Sequence, residues 1–277
     1  MVEPNKLEFP MTPLFGSITP LRIPTKTRFI SSDADVNTYI LAVEAADGQE
    51  LGAVVITAVE NFVLGCKSDG IWSALKSSCI LAGARTLSGA LVPLVGSAPT
   101  NNNFVSGDYD RETGLKGDGS TKYLSSNRNN NADPINSKHL SVYITEKTTI
   151  AGRAYIGGTV NVNGNSFLLG GGTLTTARAH INIYASASNI NPHTNGFFGS
   201  TRNNSANYSS RNNATTVTTA GTSSSPASYI PRIFARHSSV DPSPARLSFY
   251  SIGEALDLAT LDTRVSTLMT DLAAAIP

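Results

Sequence analysis

The densest group of chemically useful side chains in this sequence is acidic: Asp108, Asp110 and Glu112 lie close together and open a loop that runs on through Asp118. Carboxylates at alternating positions are how a calcium loop begins, because a hard cation gathers several oxygen ligands from one turn of chain. The loop departs from the full pattern, since Gly119 stands where a bidentate Glu would close the coordination sphere. Asp108 and Asp110 are the calcium candidates. The competing reading is a solvated turn whose Asp side chains accept from local amides, so that no cofactor is needed.

Other reactive types are scattered. His139, His180, His193 and His237 fall in no metal-ligand spacing, and no G-x-S-x-G nucleophile elbow is present. Glycoside hydrolysis needs two carboxylates flanking a sugar, and the sandwich region has few: Asp133, Glu146, Asp241 and Glu254, beside the Asp108–Asp118 cluster. Glu254 sits at a strand-to-helix junction, where capping is its expected work. No enzyme is expected. Cys66 and Cys79 are too few ligands for a tetrahedral metal and read either as two buried thiols or as a bridge.

A net charge of +1 with 15% charged residues leaves no electrostatic footprint for nucleic acid or for an anionic membrane. No apolar run is long enough to cross a bilayer, and the N-terminus lacks a basic stretch followed by an apolar core. The expectation is synthesis in a cytoplasm, with any outside role reached through assembly or lysis. Low charge with many Ser, Thr, Asn and Gly suits contact with protein subunits or neutral sugars. Candidates for such contact are Phe198, Arg202, Tyr208, Arg211 and Tyr229, expected on exposed turns and half-wet strands, where rings stack and polar groups hydrogen-bond. The competing reading puts these aromatics in a core, for at least one of Phe197 and Phe198.

The elements that must position these residues divide the 277-residue chain into three. Residues 1–31 carry five prolines among Phe9, Leu14, Phe15, Leu21 and Ile23, which predicts an extended arm that docks on a partner, or a tail. Residues 32–98 predict a small helical module. Val36, Tyr39, Ile40 and Val43 form one helix face, capped by Ser32 or Asp33 and ended by Asp47-Gly48. Val55, Val59, Phe62, Val63 and Cys66 form a second, continued by Trp72, Leu75 and Cys79. Residues 99–277 predict a β-sandwich. Leu140, Val142 and Ile144 alternate with Ser141, Tyr143 and Thr145, a strand with one wet face. Further short segments separated by Gly and Asn turns follow, in the spacing of an antiparallel sandwich or jelly roll. Leu258, Leu261, Val265, Leu268 and Leu272, behind an Asp257 cap, predict a closing helix that lies on its own domain or forms a short coiled coil.

Three segments together carry a family resemblance: RETGLKGDGSTKYL at 111–124, HLSVYIT at 139–145 and ARLSFYSIGEALDLATLDTRVSTLMTDLAAAI at 245–276. They resemble tailed-bacteriophage virion proteins with a concanavalin A-like, or laminin G-like, jelly-roll domain. The helical stretch of residues 33–96 is similar to a module that precedes this domain in such proteins. The resemblance implies a mainly β fold: an antiparallel laminin G-like jelly-roll sandwich with an N-terminal helical module, an extended arm and a C-terminal helix. It also implies a virion structural protein, a homotrimeric fibre or tail-tip component that recognises a host-surface glycan and contacts other virion proteins. The alternative is a capsid decoration or head-spike protein held by its arm; from a different class, a polysaccharide-degrading enzyme.

Overall fold

The computed structural model describes residues 31–158, 162–183, 187–236 and 241–276. The arm residues Phe9, Leu14, Phe15, Leu21 and Ile23, and also His237, lie outside the described residues.

Helix α1 (Ala34–Asp47) begins where the Asp33 carboxylate accepts from the amides of Asp35 and Val36, and ends where Gly48 takes a left-handed φ of 68°. Helix α2 (Ala53–Ser68) buries Val55, Val59, Phe62, Val63 and Cys66 along one face. The helical pattern expected to continue through Trp72, Leu75 and Cys79 does not. Gly70, at φ 71°, breaks it, and a short 3-10 turn at Trp72–Ala74 leads into strand β1 (Leu75–Ile80). A short apolar run reads equally well as helix or strand, and here pairing decided it. The single helical turn α3 (Leu87–Ala90) follows.

Among the described residues fourteen strands follow β1. They are β2 (Thr100–Asn102), β3 (Tyr109–Asp110), β4 (Gly114–Lys116), β5 (Tyr123–Ser125), β6 (Lys138–Glu146), β7 (Ala154–Gly157) and β8 (Phe167–Gly170). Then come β9 (Ala177–His180), β10 (Ser188–Ile190), β11 (Gly196–Arg202), β12 (Asn207–Asn212), β13 (Thr215–Ala220), β14 (Arg232–Ile233) and β15 (Arg246–Gly253). Every named pairing is antiparallel. The larger sheet runs β13-β12-β11-β6-β15-β4-β3, with β1 also on β15, and the smaller runs β10-β9-β8-β7-β14-β5-β2. The protein is therefore a mainly β sandwich of two antiparallel sheets, as the strand spacing predicted.

One core lies between the sheets. Leu140, Val142 and Ile144 of β6 meet Tyr155 and Ile156 of β7, Leu168 of β8 and Ile233 of β14 there, all without exposure. A second core lies on the outer side of the larger sheet, where α1, α2 and helix α4 (Leu258–Ala275) cover Phe197 and Phe249. The wet face expected on β6 is thus a covered one: Ser141 is buried, and Tyr143 packs against the helical layer. Helix α4 lies on its own domain, burying the whole Leu258, Leu261, Val265, Leu268 and Leu272 seam. Asp257 caps it, accepting from the Thr260 amide at 2.6 Å. Asp257→Ala is expected to lower unfolding free energy by about 1 kcal/mol in urea titration; an unchanged midpoint would refute the capping role.

The two cysteines are free thiols in different cores. Cys66 belongs to the helix-facing core and Cys79 to the inter-sheet core, where its Sγ lies 3.5 Å from the Tyr250 hydroxyl. Burial pushes both thiols up to about 12, so neither is a ready nucleophile at neutral pH.

Candidate functional site

The outer faces of the two sheets are treated differently. Helices cover that of the larger sheet. On the smaller sheet β9 alternates: Ala177 and Ala179 enter the inter-sheet core, so Arg178 and His180 face away from it. Leu168 of β8 likewise points inward, while Phe167 and Leu169 join Ala154 of β7 in a small apolar cluster on the outer side. Together they floor an open cavity of about 530 Å³, rimmed by Gly152, Gly170–Gly172, Arg236 and Asp241. That volume falls within the range of small-molecule sites.

The floor is built around one ring. The Phe167 and His180 rings stack with centroids 4.2 Å apart and planes 27° from parallel. The Arg236 guanidinium sits 5.4 Å from the Phe167 centroid and is ion-paired with Asp241. His180 is 2% exposed, and one ring nitrogen meets only the Ile183 backbone, in a contact too poorly aligned to count as a full hydrogen bond; among the described residues neither that ring nor the buried Arg236 Nε has another partner. Buried polar atoms are nearly always well satisfied, so these poorly partnered groups beside one cavity need explaining. Burial, seconded by the Arg178 charge, lowers the His180 pKa from 6.5 to about 4 against a small opposing effect of the Ile183 backbone. At neutral pH the ring is neutral, offering one donor and one acceptor. Arg178 is exposed, and its side chain makes no ion pair or hydrogen bond among the described residues.

The binding candidates read from the sequence lie elsewhere. Phe198 fills the inter-sheet core, and Phe197, its neighbour on β11, fills the helix-facing one. Consecutive strand residues point to opposite faces, and both faces are covered. Tyr208 is 1% exposed and accepts from the Ser188 amide at 2.7 Å. Tyr229 is buried, its hydroxyl accepting from the Ser166 amide at 2.9 Å. Arg202 is fully buried, and Arg211 ties β12 to α4 through Asp262 at 2.8 Å. The expectation of exposed turns for these residues is therefore corrected: they are positioned as structure. Of the five, Tyr229 alone approaches the cavity, through its bond to Asn165, which lines it.

The calcium candidates are engaged locally. Asp110 accepts from the amides of Glu112 and Thr113 at 3.0 and 2.7 Å, and Asp108 from the Val105 amide at 2.8 Å and from Lys122 at 2.6 Å. Among the described residues no group of three or more His, Cys, Asp or Glu is placed to hold a metal ion. The later carboxylates are also engaged: Asp133 pairs with Arg128, Glu146 with Lys116 and Glu254 with Lys76. No helix among the described residues is long and apolar enough to cross a membrane.

No family model matches the sequence, and no curated protein matches it. Solved structures do resemble the fold. The binding domain of botulinum neurotoxin serotype D matches with a TM-score of 0.48 at 11% identity, over 70% of this chain and 51% of its own. That of serotype C1 matches with a TM-score of 0.44 at 11% identity, over 72% and 52%. An α-L-arabinofuranosidase of glycoside hydrolase family 54 matches with a TM-score of 0.38 at 7% identity, over 58% and 41%. The chain spans about half the length of the neurotoxin domains it matches. At these values the likeness carries no functional argument.

Proposed function

We propose that this chain is a glycan-binding β-sandwich whose site is the open cavity on the smaller sheet, displayed on a tailed-phage particle as a fibre or tail-tip component. The observation that supports it is His180: a buried, neutral donor–acceptor ring, with only the Ile183 backbone as a partner among the described residues, on the apolar floor of an open cavity. Sugars present hydroxyls that both give and accept hydrogen bonds beside apolar C–H faces, and such a floor complements both. The virion placement and the homotrimer rest on the resemblance of residues 111–124, 139–145 and 245–276 to phage proteins. Other virion proteins are the further partners on this reading.

The test is binding of the purified full chain to an array of bacterial surface glycans, repeated with His180→Phe. Phe keeps an aromatic partner for Phe167 and removes both ring nitrogens. The expected result is binding by the parent and an affinity loss of about tenfold or more in the variant. No binding to any glycan, or equal binding by the two proteins, refutes the assignment of the site. Release of sugar fragments would instead make the protein an enzyme.

The apolar, Pro-rich residues 1–31 favour a second placement, as a head decoration held by that arm. Removing them should abolish incorporation into particles while thermal unfolding of the remainder persists; normal incorporation would refute the docking role of Phe9, Leu14, Phe15, Leu21 and Ile23.

A further inference from the structure

The cavity on the smaller sheet holds more hydrogen-bond donors than its surroundings use. The exposed Arg178 fork lines it with no partner among the described residues, and behind the surface the Arg236 Nε is buried beside it with none either. One carboxylate faces the same space, that of Asp241, and the Arg236 terminal nitrogens already take it. Two guanidiniums against one carboxylate leave the cavity with a net positive charge, in a chain whose overall charge is only +1. A surplus of donors and of positive charge is complementary to an acceptor-only anionic group. Arg presents its N–H groups in a planar fork that fits the two oxygens of a carboxylate.

The rest of the cavity is shaped for a ring beside that anion. Leu169 and the edge of the Phe167–His180 stack make an apolar floor. Side-chain atoms are missing along one rim: a Cβ built on Gly152 or Gly172 meets nothing within 4 Å, so a ligand has open access there. An isolated small anion would use the Arg178 fork and leave that floor without contacts.

We propose that this cavity selects a sugar acid, a glycan whose terminal ring carries a carboxylate. In the bound state the carboxylate lies on Arg178, and the apolar face of the sugar ring lies over Leu169 and the edge of the Phe167–His180 stack. This rests on the reading of the cavity as a glycan site and names the class of glycan it takes.

The experiment compares two oligosaccharides of equal length, one ending in glucuronic acid and one in glucose, by calorimetry with the full chain. Acetate and inorganic phosphate serve as competitors. The acid-ended sugar is expected to bind about tenfold or more tightly than the neutral one, with millimolar acetate or phosphate displacing it poorly. Arg178→Gln, an exposed change expected to leave thermal unfolding unmoved, should erase the difference between the two sugars. Equal affinities, or a preference for glucose, overturn the acid selectivity while leaving a glycan site in place. Displacement by phosphate as effective as by the sugar acid shows a simple anion site and overturns it too. Failure of both sugars to bind removes the glycan reading itself.

Discussion

Acidification from pH 6.5 to about 5 is expected to destabilise this protein by roughly 3–6 kcal/mol, before most of its carboxylates protonate. The cause is three buried histidines, His139, His180 and His193, each lowered from 6.5 to about 4 chiefly by its removal from water. At His139 the carbonyl of Glu254 opposes this, favouring the charged ring, but burial outweighs it. His139 Nδ1 donates to the Glu254 carbonyl at 2.6 Å, and its Nε2 accepts from the Ser251 hydroxyl at 2.9 Å. His193 Nε2 accepts from the Tyr155 hydroxyl at 3.2 Å. In this window the unfolded chain binds these protons and the folded chain does not. Stability is therefore full above pH 6.5 and is lost as the pH falls towards the folded values. Urea unfolding at a series of pH values measures it, and near pH 5 the slope should correspond to uptake of about three protons on unfolding. A flat profile between pH 6.5 and 5, or NMR titration of these rings near 6.5, would refute the account. Below that range Asp33, Asp110 and Asp257 add their own loss, because each is lowered from 3.8 by hydrogen bonds made only in the fold.

Arg202→Met is expected to cost roughly 3–5 kcal/mol, a large part of the stability of a domain this size. Arg202 has no exposure, and its guanidinium is held by carbonyls. Nε donates to Ile181 at 2.9 Å, Nη1 to Asn204 and Asn207 at 3.2 and 3.1 Å, and Nη2 to Gly221 at 3.1 Å. It also lies 5.2 Å from the centroid of the Tyr208 ring. The group thus pins the β11–β12 turn to the ends of β9 and β13. Met fills much of the space and satisfies none of those oxygens, which stay shut away from water. Arg202→Lys should recover only part of the loss, since an ammonium cannot span the same fan of acceptors. Urea midpoints for the three proteins decide it; a Met variant within about 0.5 kcal/mol of the parent would show that these bonds contribute little.

The difference between Arg202 as an expected ligand anchor and Arg202 as a buried clasp shows what sequence could convey. Pattern carried far where one element decides its own environment. The alternation of Leu140, Val142 and Ile144, the seam of α4 and the caps at Asp33 and Asp257 all lie where periodicity and capping chemistry put them. It failed where burial is set by a distant segment. Nothing local to β11 says that helices from both ends of the chain cover its outer face, so Phe197 and Phe198 could not both be assigned to cores. The run through Cys79 became a strand because β15, far along the chain, offers it a partner. The cavity was hidden for the same reason, since its lining joins side chains of β8, β9 and the segment after β14. The one local trace was Ala177-Arg178-Ala179-His180, small apolar and polar residues in strict alternation, which marks a strand whose polar side faces outward.

The helical layer and the cavity lie on opposite sides of the sandwich, and Ser31 and Ile276 both belong to the helical side. Ser31 is hydrogen-bonded to Glu60 of α2, and Ile276 packs on the core beneath α4. Coupling at either residue to a bead, a sensor chip or a neighbouring subunit would orient every copy alike, cavity side outward. Copies arrayed in that way meet a surface with many sites at once, and a millimolar contact at each site sums to avidity that a single copy never reaches.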